Sequence, residues 1–347
     1  MSCVSTIEVR NKCFKFTSQN VLATVNLDPP HNIVVHDENT THIMRNHVAG
    51  FRQIALSPAA PLLAMLRGPR SYKVYVWDYV AKARVAVLRG HTYVVSTIVF
   101  SPDGRLLASG SYDCTIRLWR TDDWTAPPTV LQHDSPGVDG ILFSQCSRLM
   151  ASHTSGSMLY MWRCTPQFEF ADSLFVRGMA VAAFQPQGHL LAAGGYGTIR
   201  IIEVNGLNEL RALRNHLGHV SCLAFSPSGQ QLASGAADSV VCLWDVATGV
   251  CTHMLQNPSA IQDVAYTSQG NQLMTATYKG VVRMWTVCPW SDRTHRLFDQ
   301  NTKRTVFQLM CVRAWLTANS KMNLPIELWL MVMEYVKARP VVPPFEY

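Results

Sequence analysis

His91, Ser109 and Asp113 are the residue types of a nucleophilic hydrolase: a hydroxyl to attack, an imidazole to take its proton, a carboxylate to orient the imidazole. With Trp119 added they can also make something plainer. An indole only donates, a serine donates and accepts, a histidine bridges and a carboxylate accepts, so the four can form a buried chain with no polar atom left over. Repetition separates the two readings. "GHTYVVSTIVFSPDGRLLASGSYDCTIRLWR" at 90–120 returns as "GHVSCLAFSPSGQQLASGAADSVVCLWD" at 218–245, where His219, Ser234, Asp238 and Trp244 offer the same four types. Serine to aspartate to tryptophan runs four and then six residues in both copies. A catalyst needs one nucleophile in one pocket, whereas a bracing device recurs with the unit it braces. Neither serine sits in a Gly-x-Ser-x-Gly elbow. Both sets therefore read as structural tetrads, and no catalytic residue is expected. A serine hydrolase built on His91, Ser109 and Asp113 is the lesser alternative.

No other chemistry stands out. Of the ten cysteines, Cys13, Cys222, Cys242, Cys251, Cys288 and Cys311 lie singly in or beside apolar runs, and none forms a Cys-x-x-Cys pair. Neither a metal site nor a cofactor is signalled. The net charge is +7, but its basic residues are scattered, with one local excess in "RTHRLFDQNTKR" at 293–304. That pattern fits weak attraction to acidic partners and not a nucleic-acid stripe. Arg177 in "LFVRG" stands alone, and one basic residue is too little to hold a membrane surface, so no membrane binding is expected. With no apolar leader and no long apolar span, the chain reads as cytoplasmic, with the nucleus also compatible.

The elements that must position these residues repeat. The residue after the first apolar run of each copy is Thr17, Ser57, Ser101, Ser144, Gln185, Ser226 and Thr267, in steps of 40 to 44 residues. Trp77, Trp119, Trp162, Trp244 and Trp285 each close a short alternating run, and His36 and Ile202 hold that place in the other two copies. Each copy reads as β-branched strands separated by turns such as "SPDG". A unit of this size cannot cover both faces of its own sheet, but copies stacked around an axis can. The 48% hydrophobic and 15% charged composition suits sheets buried on both faces.

Gly-His, Ser-Pro-Asp-Gly, Leu-Ala-Ser-Gly, Asp and a late Trp-Asp together resemble the WD-repeat family, over about residues 4–287. The resemblance implies an all-β, seven-bladed propeller whose tetrads are His91, Ser109, Asp113, Trp119 and His219, Ser234, Asp238, Trp244. It also implies that the N-terminal strand "CVSTIEV" completes the last blade. Six residues before Trp162 and Trp285 stand Gly156 and Lys279, and the copy at Ile202 lacks the tryptophan. Apolar packing, with less polar bracing, is expected to hold those blades.

Partners of such a fold are proteins or peptides. The turns between second and third strands share one rim with the loops between blades. Arg70, Tyr112, Tyr196 and Tyr278, with Tyr93 in a neighbouring loop, are the rim candidates, being types enriched in interface hot spots.

After the propeller (1–287) and a polar linker (288–304), residues 305–347 read as a short helical pair. "LPIELWLMVMEYVK" is apolar on every side, which requires burial. This stretch looks like the opening helix of an F-box, and "VFQLMCVRAW" followed by "LP" looks like a SOCS box. Either would recruit elongin/cullin-type or Skp-type adaptors, with Phe307, Cys311, Leu324, Pro325 and Leu328 as contact candidates. The reading is a protein-interaction scaffold, with a cullin-RING substrate receptor as the alternative.

Overall fold

In the computed structural model the described residues are 51–287, without 69, 135–136, 165–167 and 187, together with five strands between residues 3 and 45. Every regular element among them is a strand. Antiparallel pairing sorts these strands into seven four-stranded units in chain order. Blade 1 runs from Cys13–Phe16 to Thr41–Arg45, blade 2 from Phe51–Leu56 to Ala83–Leu88, and blade 3 from Val95–Phe100 to Thr129–Gln132. Blade 4 runs from Val138–Phe143 to Glu169–Phe175. One continuous strand, Glu209–Phe225, is both the outer strand of blade 5 and the inner strand of blade 6. Blade 7 is Ile261–Tyr266, Gln272–Thr277 and Val281–Thr286, and Cys3–Glu8 adds its fourth strand, with Cys3 opposite Trp285 and Glu8 opposite Val281. That pairing covers an otherwise open sheet edge. The fold is a β-propeller. The helical pair expected at 305–347 and the linker at 288–304 lie outside the described residues.

In blades 3, 4 and 6 the counting residue of the repeat staples a turn. Ser101 Oγ accepts from the Leu106 amide at 3.0 Å, Ser144 Oγ from Leu149 at 3.0 Å, and Ser226 Oγ from Gln231 at 3.1 Å. Gly104 and Gly229 sit at φ +70° in these turns, where a side chain is disfavoured; Ser147 adopts φ 56° at the equivalent place in blade 4.

Among the described residues, successive blades pack face to face. Val74 and Val76 of blade 2 pack on Ile98 and Trp119 of blade 3. Ile116 and Leu118 of blade 3 meet Val138, Met150 and Trp162 of blade 4. Ile199 and Ile201 of blade 5 meet Leu232 and Trp244 of blade 6, and Val241 and Leu243 of blade 6 meet Leu273 and Trp285 of blade 7. Each such tryptophan is a wedge against the blade before it, which is why it closes the third strand of its repeat.

Candidate functional site

In blade 3, Asp113 Oδ2 lies 2.8 Å from His91 Nδ1, and His91 Nε2 lies 2.9 Å from Ser109 Oγ. Trp119 Nε1 donates to the same Oγ at 2.9 Å. With the imidazole proton on Nδ1 facing the carboxylate, Ser109 donates to Nε2 and accepts from the indole. The carboxylate also accepts from the Thr92 amide at 2.9 Å and the Thr115 hydroxyl at 2.6 Å. Burial by itself would raise the Asp113 pKa; hydrogen bonds from Thr115, Thr92 and His91 outweigh it and hold the carboxyl below its ordinary value. Burial lowers the His91 pKa, partly offset by Asp113. The arrangement has the order of a charge relay, but Ser109 is 0% exposed and the indole occupies its oxygen. The trio braces the inner loop of the blade against its third strand.

Blade 6 repeats the arrangement with one correction. The histidine is His216, not His219: its Nδ1 is 3.0 Å from Asp238 Oδ2 and its Nε2 is 2.7 Å from Ser234 Oγ, which accepts from Trp244 Nε1 at 2.8 Å. The reason is reach. His91 precedes Ser109 by 18 residues, and His216 precedes Ser234 by the same 18. The Gly-His pair at 218–219 comes three residues too late and leads straight into the inner strand. His219 instead meets the Tyr196 ring edge-on at 4.9 Å. The 18-residue interval was the signal that could have found His216.

Other blades keep fragments of the network, more than sequence reasoning expected. In blade 4, Ser152 Oγ is 3.1 Å from His133 Nε2 and accepts from Trp162 Nε1 at 2.9 Å, with Gly156 where the carboxylate would stand. His133 Nδ1 has no partner, and burial drives its pKa down to about 4. In blade 7, Trp285 Nε1 donates to Thr275 Oγ1 at 3.0 Å, which bonds Asn257 Oδ1 at 3.3 Å, so an amide replaces the imidazole. Blade 2 uses another device: Arg67 lies over the Tyr75 ring at 4.6 Å and the Trp77 ring at 5.8 Å.

The rim candidates fall where the topology directs the second-to-third-strand turns and the interblade loops. Arg70, Tyr93, Tyr112, Tyr196 and Tyr278 are all exposed, Tyr196 by 78% and Tyr278 by 62%. They do not form one cluster. Tyr93 stacks on Tyr72 across the blade 2–3 boundary at 6.2 Å, Tyr112 packs on Gly137 of the next loop, and Tyr196 joins His219. Two exposed rim residues escaped the sequence reading, Tyr72 and Leu217, the latter 96% exposed. Phe307, Cys311, Leu324, Pro325 and Leu328 lie outside the described residues. The opposite rim has a cleft of about 570 Å³ lined by Asp103, Arg105, Arg120, Asp122, Ser147 and Cys164, where Arg120 pairs with Asp122 at 2.7 Å. Among the described residues, no group of three or more His, Cys, Asp or Glu could hold a metal ion.

Seven four-stranded blades, wedging tryptophans and His–Ser–Asp–Trp bracing define a repeat-built propeller of the WD-repeat class. A family model described as "WD domain, G-beta repeat" matches residues 82–120 and 207–245, the two blades with complete tetrads. These two stretches of the chain are WD repeats. The chain is similar to the transcriptional corepressor LEUNIG_HOMOLOG of Arabidopsis thaliana, at 26% identity over 65% of this chain and 29% of that protein. It is similar to apoptotic protease-activating factor 1 of Danio rerio, at 26% over 56% of this chain and 15% of that protein. A third likeness, guanine nucleotide-binding protein subunit beta-5b of Danio rerio, is 46% identical over 16% of this chain and 14% of that protein. The chain spans less than half the length of each of these relatives.

Proposed function

We propose that this chain is a non-catalytic scaffold that docks partner proteins on the rim carrying the second-to-third-strand turns. The observation that carries this reading is the exposure of Leu217, Tyr196 and Tyr278 on this rim, with the Leu217 amide held by the Asp238 carboxylate. Burying one such side chain in a partner contributes about 1.5–3 kcal/mol. The family relationship supports the same use. The test is isolation of the full chain with its bound proteins, beside a Leu217→Ser, Tyr278→Ser variant whose fold is checked by circular dichroism. The variant should lose partners that the parent retains; an unchanged set rejects the rim.

A second reading rests on the all-round apolar pattern of 324–336 and the motif likeness of 305–347. In it the tail recruits an elongin- or Skp-type adaptor while the propeller holds a substrate. A Leu328→Asp, Cys311→Asp variant should then lose cullin subunits and keep its propeller fold. No cullin in either sample leaves the scaffold alone.

A further inference from the structure

The two rims differ in charge. Among the described residues of the docking rim, Arg70, Arg89, Arg177, Arg214 and Lys279 are exposed, against one exposed carboxylate, Asp134. Asp113 and Asp238 also stand there, but both are engaged with the bracing histidines. On the opposite rim, cations and carboxylates are interspersed, as in the cleft where Arg120 pairs with Asp122.

At the boundary of blades 5 and 6 this positive rim meets the most exposed apolar side chains. Arg177 precedes Gly178, whose Cα faces the Tyr196 ring so closely that a Cβ there would stand 2.6 Å from it. Tyr196 meets His219 edge-on. Leu217 lies two residues before His219, and Arg214 three residues before Leu217, on one continuous strand. The segments here, 176–180, 195–197, 214–220 and 237–239, contain a single carboxylate, Asp238. That carboxylate accepts from the Leu217 amide at 2.9 Å while holding His216, so the bracing network fixes the backbone that presents Leu217. A side chain held outward by a buried network loses little freedom on binding, which favours docking.

We propose that this patch docks an acidic segment of a partner protein. An apolar or aromatic side chain of the segment covers Leu217 and Tyr196, and Asp or Glu carboxylates flanking it pair with Arg177 and Arg214. Arginine suits this role because its planar fork takes a carboxylate through two parallel hydrogen bonds. The assignment rests on the rim being the docking surface.

The test is fluorescence anisotropy of a labelled glutamate–tyrosine copolymer with the full chain. Reversing both charges (Arg177→Glu, Arg214→Glu) should weaken binding tenfold or more, and Leu217→Ser should weaken it severalfold, while Arg105→Glu, Arg148→Glu on the opposite rim leaves it unchanged. Added salt should weaken it as well. Equal loss from reversal on either rim, equal binding of a lysine–tyrosine copolymer, or binding only to phosphatidylserine vesicles or only to a phosphotyrosine peptide overturns the proposal. Partner retention that depends on Leu217 and Tyr278 without any copolymer binding overturns the acidic partner and leaves the scaffold standing. Loss of neither overturns both.

Discussion

Blade 3 and blade 4 share a turn-stapling serine, a wedging tryptophan and a histidine bonded to a buried hydroxyl, yet they bury that histidine on different terms. In blade 3 the imidazole is clamped between Asp113 and Ser109. In blade 4 glycine replaces the acid, His133 Nδ1 is unpartnered, and the ring leans edge-on against Tyr160 at 4.4 Å. A second exchange accompanies the first. Thr97 faces Gly110 in blade 3, whereas Gly140 faces His153 in blade 4, and a Cβ at Gly140 would collide with the His153 imidazole. His153 is also buried with its Nδ1 unpartnered, and burial lowers its pKa to about 4. The lesson is that a repeat keeps its shape when the network is cut, because apolar packing between blades sustains the fold, and the cut blade is the one expected to be acid-sensitive.

The largest expected effect tests that sensitivity. For His133 and His153 the folded pKa is about 4, below the ordinary 6.5. Such a group costs no stability above pH 6.5, and stability is lost as the pH falls from there toward 4, by up to roughly 3 kcal/mol per histidine. His91 shifts in the same direction, but Asp113 opposes the shift, so blade 3 loses less. Hydrogen exchange at pH 5, corrected for intrinsic rates and compared with pH 7, should show blade 4 amides losing protection before those of blade 3. Uniform loss across both blades breaks the comparison.

A smaller effect comes from cutting each network at its centre. Ser109→Ala strands an imidazole and an indole in a chain polarised by a carboxylate, and should cost about 2–3 kcal/mol. Ser152→Ala cuts a chain without that charge and should cost about 1–2 kcal/mol. Urea denaturation of the two variants measures the difference, and equal costs would mean that Asp113 adds nothing to the bracing.

The smallest effect, and the sharpest, comes from repair. The backbone at Gly156 lies outside the positive-φ region, so its conformation does not require glycine. Gly156→Asp supplies an acceptor to His133 Nδ1, should stabilise the protein by about 1 kcal/mol at neutral pH, and should narrow the acid gap between the blades. A destabilised variant would show that blade 4, whose His133 precedes Ser152 by 19 residues in place of 18, holds its ring too far from that turn.

Spacing along the chain determined much of this protein. The seven-fold period, the serine that staples the turn in blades 3, 4 and 6, the tryptophan that closes the third strand of five repeats and the four-then-six interval of Ser109, Asp113 and Trp119 are local, fixed by strand rise and turn length. Which histidine completes blade 6 was nearly legible too, in an 18-residue interval outweighed by a more familiar Gly-His pair. What the tertiary structure decided lies between elements. His219 turns to Tyr196, Arg67 reaches across Tyr75 and Trp77, His153 fills the space Gly140 leaves, and Leu217 stands bare on a strand held by Asp238. These contacts join residues on different strands or different blades. Their geometry depends on how two sheets pack, and no single stretch of sequence carries that information.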